Sequence, residues 1–290
     1  MKTYDQTEIV SRARKHFDEL LEQKIDHLHE LTGIEKERFV KLNPMDFLLR
    51  MEGQYVKGHK YQGIGDYVAK TKTPDNFLIS PIDEEVETAN QICYKTGQVE
   101  RKLRAHKCQV MPISNLAAKR FFIKNHRQTV PAMSSKAINF ALVYEGEVVA
   151  VMSYDYTQSA VRGLGKSDMY ELLRLSVKHG TQVNGGASKL QAKCEEAIRH
   201  MGCTKIFSYS NATINQGNVY RQLGFEPGKV QDGQAWSVEP DFRMIRLVNC
   251  CKVSGFKGAK TTDLMERGAV KVSITANRTW IKDISKPQTL

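Results

Sequence analysis

The sequence has few of the features that mark membrane or secreted proteins. No apolar run approaches the roughly 18 residues that cross a bilayer, and the N-terminal stretch MKTYDQTEIVSRARK does not have the apolar core of a signal peptide. The six cysteines are spread over 290 residues, a length that does not need disulfides for stability, and no Cys-x-x-Cys pair occurs. We therefore expect a cytoplasmic protein with free thiols, no membrane association and no bound metal.

What is present is an ordinary globular composition, with 41% hydrophobic and 26% charged residues, long enough for about two domains. The net charge of +11 is unevenly distributed. Residues 1–110 carry 18 basic and 18 acidic side chains, whereas residues 111–290 carry 25 and 14. A domain with this excess attracts polyanions such as DNA, RNA or a phosphorylated cofactor, although a surface that serves only solubility would have the same bias.

The first part of the chain has the periodicity of helices. Between Asp5 and Leu31, apolar residues recur every three or four positions, and Gly33 follows as a natural C-terminal stop. The stretch 53–76 is rich in Gly, Lys and Tyr and predicts a loop or irregular platform. We expect residues 1–108 to form a mostly helical domain, which could recognise a target, mediate a homodimer or dock a partner.

From about Gln109 the pattern changes to alternating strands and helices. A short strand and a helix over 114–126 are followed by two β-type runs, 138–144 and 148–154, which Glu145-Gly146-Glu147 joins as a hairpin. A strand over 171–177, a Gly-rich turn, a helix over 187–201, a strand over 205–209 and a short helix come next. The tail predicts one more hairpin, from 270–274 and 279–282.

The most specific local signal lies between the strand ending at Val177 and the helix that follows. Small residues there let the backbone approach a ligand, and the free N–H groups of a helix N-terminus form an anion site that suits a pyrophosphate. The spacing Gln182-x-x-Gly185-x-Ala187 resembles the pyrophosphate loop of the GCN5-related N-acetyltransferase (GNAT) superfamily. The resemblance implies an α/β fold with a mixed central sheet flanked by helices over residues 109–290, and acetyl-coenzyme A or another acyl-coenzyme A as cofactor.

A second segment, Asn218 to Phe225 (NVYRQLGF), looks like the helix from which a GNAT tyrosine reaches the coenzyme sulfur. The resemblance makes Tyr220 the candidate general acid, because a phenol with a pKa of about 10 can hand a proton to a leaving thiolate. The residues that the resemblance places at the cofactor are Leu175, Val177, Gln182, Val183, Asn184, Gly185, Gly186, Ala187, Ser188, Asn218 and Tyr220.

Further clusters resemble phage-encoded GNAT-like proteins of the Mom DNA-modification type and relatives joined to homing endonucleases. They are Ser208-Tyr-Ser-Asn211, Glu171-Leu-Leu-Arg174 and His126-Arg-Gln128. Mom-type proteins modify the exocyclic amine of adenine, so the resemblance implies an enzyme that extrudes a base from DNA and activates it. Asn211 stands where that pattern has an acidic residue.

This chemistry requires a base and cations that bind phosphates. His126 or Glu171 could accept a proton, and Arg174 could bind a phosphate or orient a substrate carbonyl. On a regular strand Glu171 and Arg174 face opposite sides, so both reach one site only if a bulge intervenes. The candidate DNA-contacting residues are Arg120, Lys124, Arg127 and Lys136.

Two other functions remain open at this point. A conventional N-acetyltransferase would act on a protein, a tRNA or a small amine. A catalytically silent GNAT scaffold would only bind nucleic acid or a host protein, and Asn211 is the sequence feature in its favour. A shared fold does not separate these alternatives, since one scaffold serves many acceptors.

Overall fold

The computed structural model describes residues 6–48, 64–126, 133–156, 169–212, 217–238, 242–246 and 269–285. Its helices are α1 (Gln6–Thr32), α2 (Ile64–Thr71), α3 (Glu85–Thr96), α4 (Asn115–Asn125), α5 (Gly186–His200) and α6 (Asn218–Gln222). Its strands are β1 (Phe39–Lys41), β2 (Phe77–Ile79), β3 (Arg101–Arg104), β4 (Gln109–Pro112), β5 (Ile138–Tyr144), β6 (Glu147–Asp155), β7 (Met169–Val177), β8 (Thr181–Asn184), β9 (Lys205–Asn211), β10 (Glu226–Val238), β11 (Arg243–Arg246) and β12 (Val270–Asp283).

The chain divides into two compact units. The first unit consists of Met1–Glu85, Asn211–Gln216 and Val230–Asn277, and the second of Val86–Ser210, Gly217–Lys229 and Arg278–Leu290. The strands β10 and β12 contribute residues to both. These units do not coincide with a single cut at residue 108, and the separate roles of residues 1–108 and 109–290 stay a prediction.

The first unit is built around the long helix α1. The apolar positions that predicted this helix are buried, and Gly33 ends it with a φ of +66° and an N–H donated to the carbonyl of His29. Its N-terminal half packs against Met45, Phe242 and Val272. Within the predicted loop 53–76, residues 64–71 instead form α2, because Ile64 and Val68 lie one turn apart and both are buried.

The second unit contains a mixed sheet in the order β4-β5-β6-β7-β9-β12-β10. The predicted hairpin is present as β5 and β6, with Glu145 and Gly146 both at positive φ in the turn. Strand β6 pairs antiparallel with β7, and β7 pairs in parallel with β9. The predicted tail hairpin is wrong, since residues 270–283 form the single strand β12.

Helices cover both faces of this sheet. Helix α5 buries Leu190, Cys194 and Ile198 against one face, where they belong to the same apolar cluster as Tyr154 of β6. Helix α4 buries Ala118 and Phe122 against the other face. The predicted α/β class, with helices that flank a mixed sheet and a helical N-terminal region, is confirmed. Of the helices that the structure describes, none combines the length and hydropathy that a membrane span requires.

Candidate active site

The central feature of the site is a stretch, called the gap below, in which the neighbouring parallel strands β7 and β9 no longer pair. Their pairing joins Met169 to Lys205, Tyr170 to Ile206 and Glu171 to Phe207. In the described residues the pairing stops there, although β7 continues to Val177 and β9 to Asn211. The backbone groups that face the gap beyond Glu171 can therefore bind a ligand that carries amides of its own.

Ser208 stands where the two strands part. Its side chain is buried, and its Oγ lies 3.0 Å from the carbonyl oxygen of Leu172 on β7 and 3.3 Å from the hydroxyl oxygen of Tyr220. The Tyr220 hydroxyl also donates to the carbonyl oxygen of Tyr209, at 3.2 Å. The hydroxyl group of Tyr220, the candidate general acid, is thus held at the start of the gap.

The ring of Tyr220 is fixed by aromatic neighbours. It stacks on Trp280 with ring centroids 5.0 Å apart and an interplanar angle of 7°, and it meets Phe225 edge-on at 5.7 Å. Trp280 is fully buried on β12 and donates its indole N–H to Ser210 Oγ at 2.7 Å. The sequence analysis did not assign Trp280 to the site, but its ring orients the candidate acid.

Gly217 makes this arrangement sterically feasible. It precedes α6 with a φ of +76°, in the left-handed region that glycine adopts without strain. A Cβ atom at this position would lie 2.1 Å from Cζ2 of Trp280 and 2.5 Å from its Cη2. A side chain at residue 217 would therefore force the indole out of its stack with Tyr220.

A bulge in β7 brings Glu171 and Arg174 to the same face of the sheet. Glu171 lies opposite Asp155 and Leu172 opposite Tyr154, but Arg174 lies opposite Ser153, so residue 173 is the extra one. The bulge that the sequence argument required is present. Directly opposed residues share a face, so Glu171 and Arg174 lie with Asp155 and Ser153, opposite the face that carries the Tyr154 side chain.

The charges of this group are coupled. Burial raises the pKa of Tyr220 and the Glu171 carboxylate raises it further, whereas the hydrogen bond to Ser208 and the charge of Arg174 lower it. Burial lowers the pKa of Arg174, whereas the charges of Glu171 and Tyr220 raise it. Burial also raises the pKa of Tyr209, with a contribution from Glu171. The phenol of Tyr220 therefore stays protonated around neutral pH, and its pKa responds to the charges of both Glu171 and Arg174.

The C-terminal end of α4 is fastened to the same face of β7. Ser176, two residues after Arg174, donates to the carbonyl of Asn125, and the Asn125 side chain accepts from the backbone of His179 at 3.0 Å. His126 ends the helix, with its ring 6.2 Å from that of Phe122. This places His126 near the far end of the strand that carries Arg174, and its role as a base stays a prediction.

The predicted phosphate loop is partly a strand. Gln182, Val183 and Asn184 belong to β8, which pairs in parallel with β3, a segment that the loop prediction did not include. The sequence could not reveal this pairing because the two strands lie about eighty residues apart and neither has a distinctive pattern. The rest of the predicted loop consists of Gly185, which precedes α5, and residues of the first turn of that helix.

That first turn has the properties of an anion site. Gly185 is exposed at a φ of +76° and supplies no side-chain cap, so the N–H groups of Gly186, Ala187 and Ser188 have no acceptor within the helix. A Cβ on Gly186 would lie 3.1 Å from both Leu142 and Val183, so glycine lets the helix start this close to the sheet without displacing either side chain. These residues fit a phosphate group.

The other predicted residues are half-buried or exposed where the structure describes them. Leu175 and Val177 pair with β6 but not with β9, and they pack partly against the core. Asn218 is exposed at the start of α6, and Asn211 is the last residue of β9. Of the candidate DNA contacts, Arg120, Lys124 and Lys136 are exposed, and Arg127 lies outside the described residues. The roles given to all of them stay predictions.

Residues 116–225 match the model of the Acetyltransferase (GNAT) family. This match confirms the predicted superfamily for the domain, and it agrees with acyl-coenzyme A as the cofactor. The comparison with curated proteins found no match.

Several solved structures are similar to the chain at low sequence identity. One is the ribosomal-protein-S18-alanine N-acetyltransferase from Escherichia coli, with 13% identity, a TM-score of 0.39, and coverage of 63% of this chain and 97% of that one. Another is an acetyltransferase from Bacillus subtilis in complex with CoA, with 14% identity, a TM-score of 0.39, and coverage of 61% and 99%. Similarity at this level carries no information about the acceptor.

Proposed function

We propose that this chain, which carries a GNAT acetyltransferase domain at residues 116–225, transfers an acyl group from acyl-coenzyme A to an amino group of a nucleobase in DNA. The observation that carries the acyl-transfer part is the divergence of β7 and β9 with the Tyr220 hydroxyl at its start. A further support is the uncapped first turn of α5, which fits the diphosphate of the same cofactor.

The residues that would hold the cofactor follow from this geometry. Backbone amides of Gly186, Ala187 and Ser188 would bind its diphosphate, and the edge of β7 that does not pair with β9, at Leu175 and Val177, would bind its amide-bearing arm. When bound, the coenzyme supplies an acyl group activated as a thioester.

Tyr220 and Glu171 divide the proton chemistry. Because burial raises its pKa, Tyr220 keeps a proton at Oη and can donate a hydrogen bond to negative charge that develops beside the gap. Glu171 can accept a proton from the incoming amine. Arg174, half-buried on the same face as Glu171, offers a positive charge for an oxyanion or a phosphate.

A nucleobase acceptor is proposed from the Mom-type sequence clusters and from the distribution of charge. Helix α4 presents Lys119, Arg120 and Lys124 to solvent, and its C-terminal end is fastened to the face of β7 that carries Arg174. Such cations bind the DNA backbone without reading its sequence. The second candidate is a conventional N-acetyltransferase, which the family match supports equally well because it does not depend on the acceptor.

The test is nucleoside mass spectrometry of DNA from cells that express the wild type or Tyr220→Phe. Tyr94→Phe is the matched control, because Tyr94 lies on α3 and is 39% exposed. We expect a new nucleoside mass with the wild type and Tyr94→Phe, and at least a hundredfold less with Tyr220→Phe.

The outcomes separate the candidates when they are combined with acetyl-coenzyme A binding measured by calorimetry. If the DNA is unmodified but the protein binds acetyl-coenzyme A and acetylates free amines, the acceptor is not a nucleobase and the conventional N-acetyltransferase is the better assignment. Absence of any acetyl-coenzyme A binding would overturn acyl transfer itself and leave a silent scaffold.

A further inference from the structure

The segment from Arg101 to Cys108 lies directly beside the start of α5. Strand β3 pairs with β8 so that Arg104 stands opposite Asn184, the residue before Gly185. The methyl group of Ala105 is 3.6 Å from the position that a Cβ of Gly185 would take. The short 3-10 helix over residues 105–107 therefore borders the candidate diphosphate site.

This segment is held in place by two further sets of contacts. Lys189, in the first turn of α5, donates to the carbonyl oxygens of Ala105 at 3.0 Å and Cys108 at 2.6 Å. Arg101 donates to Glu147 at 2.6 Å, and the same carboxylate also binds Lys178. A segment anchored in this way keeps its side chains in a defined position next to the helix start, unlike a free surface loop.

The side chains that this segment exposes are basic. Leu103, Ala105 and Cys108 are buried, whereas the intervening Arg104 and Lys107 are exposed. Within the part of the chain that the structure describes, neither Arg104 nor Lys107 forms an ion pair with a carboxylate. Two cations are thus presented beside backbone amides that already fit an anion.

We infer that Arg104 and Lys107 bind the ribose 3′-phosphate of the coenzyme. This inference rests on the proposed function, since it assumes that the diphosphate lies at the first turn of α5. Coenzyme A carries a diphosphate and, on the adjacent ribose, a phosphate monoester with nearly two negative charges at neutral pH. A guanidinium binds such a group through two parallel hydrogen bonds, and an ammonium adds a point charge.

The experiment compares coenzyme A with 3′-dephospho-coenzyme A by titration calorimetry. The proteins are the full chain, Arg104→Gln/Lys107→Gln, and the control Lys193→Gln, which removes an exposed cation from α5 outside the site. We expect the wild type and the control to bind coenzyme A about tenfold more tightly than the dephospho form. In the double variant we expect the ratio of the two dissociation constants to fall to about one.

The possible results differ for the inference and for the proposed function. A wild type that binds neither ligand refutes the proposed function. A wild type that binds both ligands equally, or a double variant that weakens both by the same factor, overturns the inference and leaves acyl transfer standing. Loss of DNA binding in the double variant, with an unchanged ratio, would make the segment a nucleic-acid contact instead. Thermal unfolding of each variant, with a midpoint like that of the wild type, confirms that the exposed substitutions leave the fold intact.

Discussion

The contact between Gly217 and Trp280 leads to a stability prediction that needs no knowledge of the substrate. Gly217→Ala would place a Cβ 2.1 Å from Cζ2 of an indole that is fully buried, stacked on Tyr220 and hydrogen-bonded to Ser210. An ordinary contact at that point is 3.4 Å or more. The indole must therefore move by more than 1 Å or the start of α6 must unwind.

The size of the effect follows from two contributions. An alanine at positive φ costs about 1 to 2 kcal/mol, of which the reduced entropy of the unfolded chain returns about half. Overpacking against the indole adds about 2 to 3 kcal/mol, because Trp280 has contacts on every side. We expect Gly217→Ala to lower the free energy of unfolding by about 2.5 to 4 kcal/mol.

Gly202→Ala is a matched control. Gly202 has a φ of +80° and no heavy atom within 4 Å of the position of an added Cβ, so only the backbone cost of about 1 kcal/mol applies. The assay is equilibrium unfolding in urea, with near-ultraviolet circular dichroism to follow the indole. In a Trp280→Phe background, which removes the clashing atoms, the cost of Gly217→Ala should fall to that of Gly202→Ala. Equal costs for the two glycines in the wild-type background would refute the reasoning.

Three further predictions concern buried polar groups and charges of the second unit. Glu195→Gln leaves the buried ammonium of Lys282 without its carboxylate and should lower the free energy of unfolding in urea by about 3 to 5 kcal/mol. Adding Lys282→Met should restore most of this loss, because it removes the unpaired charge. A loss below about 1 kcal/mol in Glu195→Gln would contradict the prediction. Burial raises the pKa of Tyr154 well above its ordinary value of about 10, so the contribution of this proton to the free energy of unfolding is full below about pH 10 and is lost progressively above it. Tyr154→Phe should make the alkaline decrease in the free energy of unfolding less steep, by up to about 1.4 kcal/mol per pH unit. An unaltered slope would count against this prediction. Since the charge of Arg174 lowers the pKa of Tyr220, Arg174→Gln should raise the pKa of Tyr220. The measurement is the absorbance of tyrosinate against pH, in which the contribution of Tyr220 is the difference between proteins with and without Tyr220→Phe. A downward shift of this pKa would contradict the prediction.

The elements that sequence reasoning predicted well are those with a strong local period or a distinctive turn. Helix α1 and the β5–β6 hairpin were found within a few residues of their predicted bounds. The errors fall where local signals are weak. Helix α2 lies in a stretch rich in Gly, Lys and Tyr, and strand β12 continues through a region that was interpreted as a turn.

The candidate site shows the same division. The loop spacing around Gly185 and the segment around Tyr220 were identified from local patterns. The importance of Ser208 and Trp280 was missed, because it depends on contacts with Tyr220 from other parts of the chain. Ser208 lies in a cluster that was noticed, but nothing in that cluster indicates that its hydroxyl bridges two strands.

By itself the sequence determined the order of helices and strands from β4 to α6, apart from β8, and the place where a phosphate can meet a helix start, because both depend on residues that are neighbours in the chain. The tertiary structure decided that Glu171 and Arg174 share a face, that the pairing of β7 with β9 ends beside Tyr220, and that β3 runs along β8. These features arise from sheet register and close packing between distant segments. Register and packing are fixed by the sum of many contacts across the whole unit, which no local pattern contains.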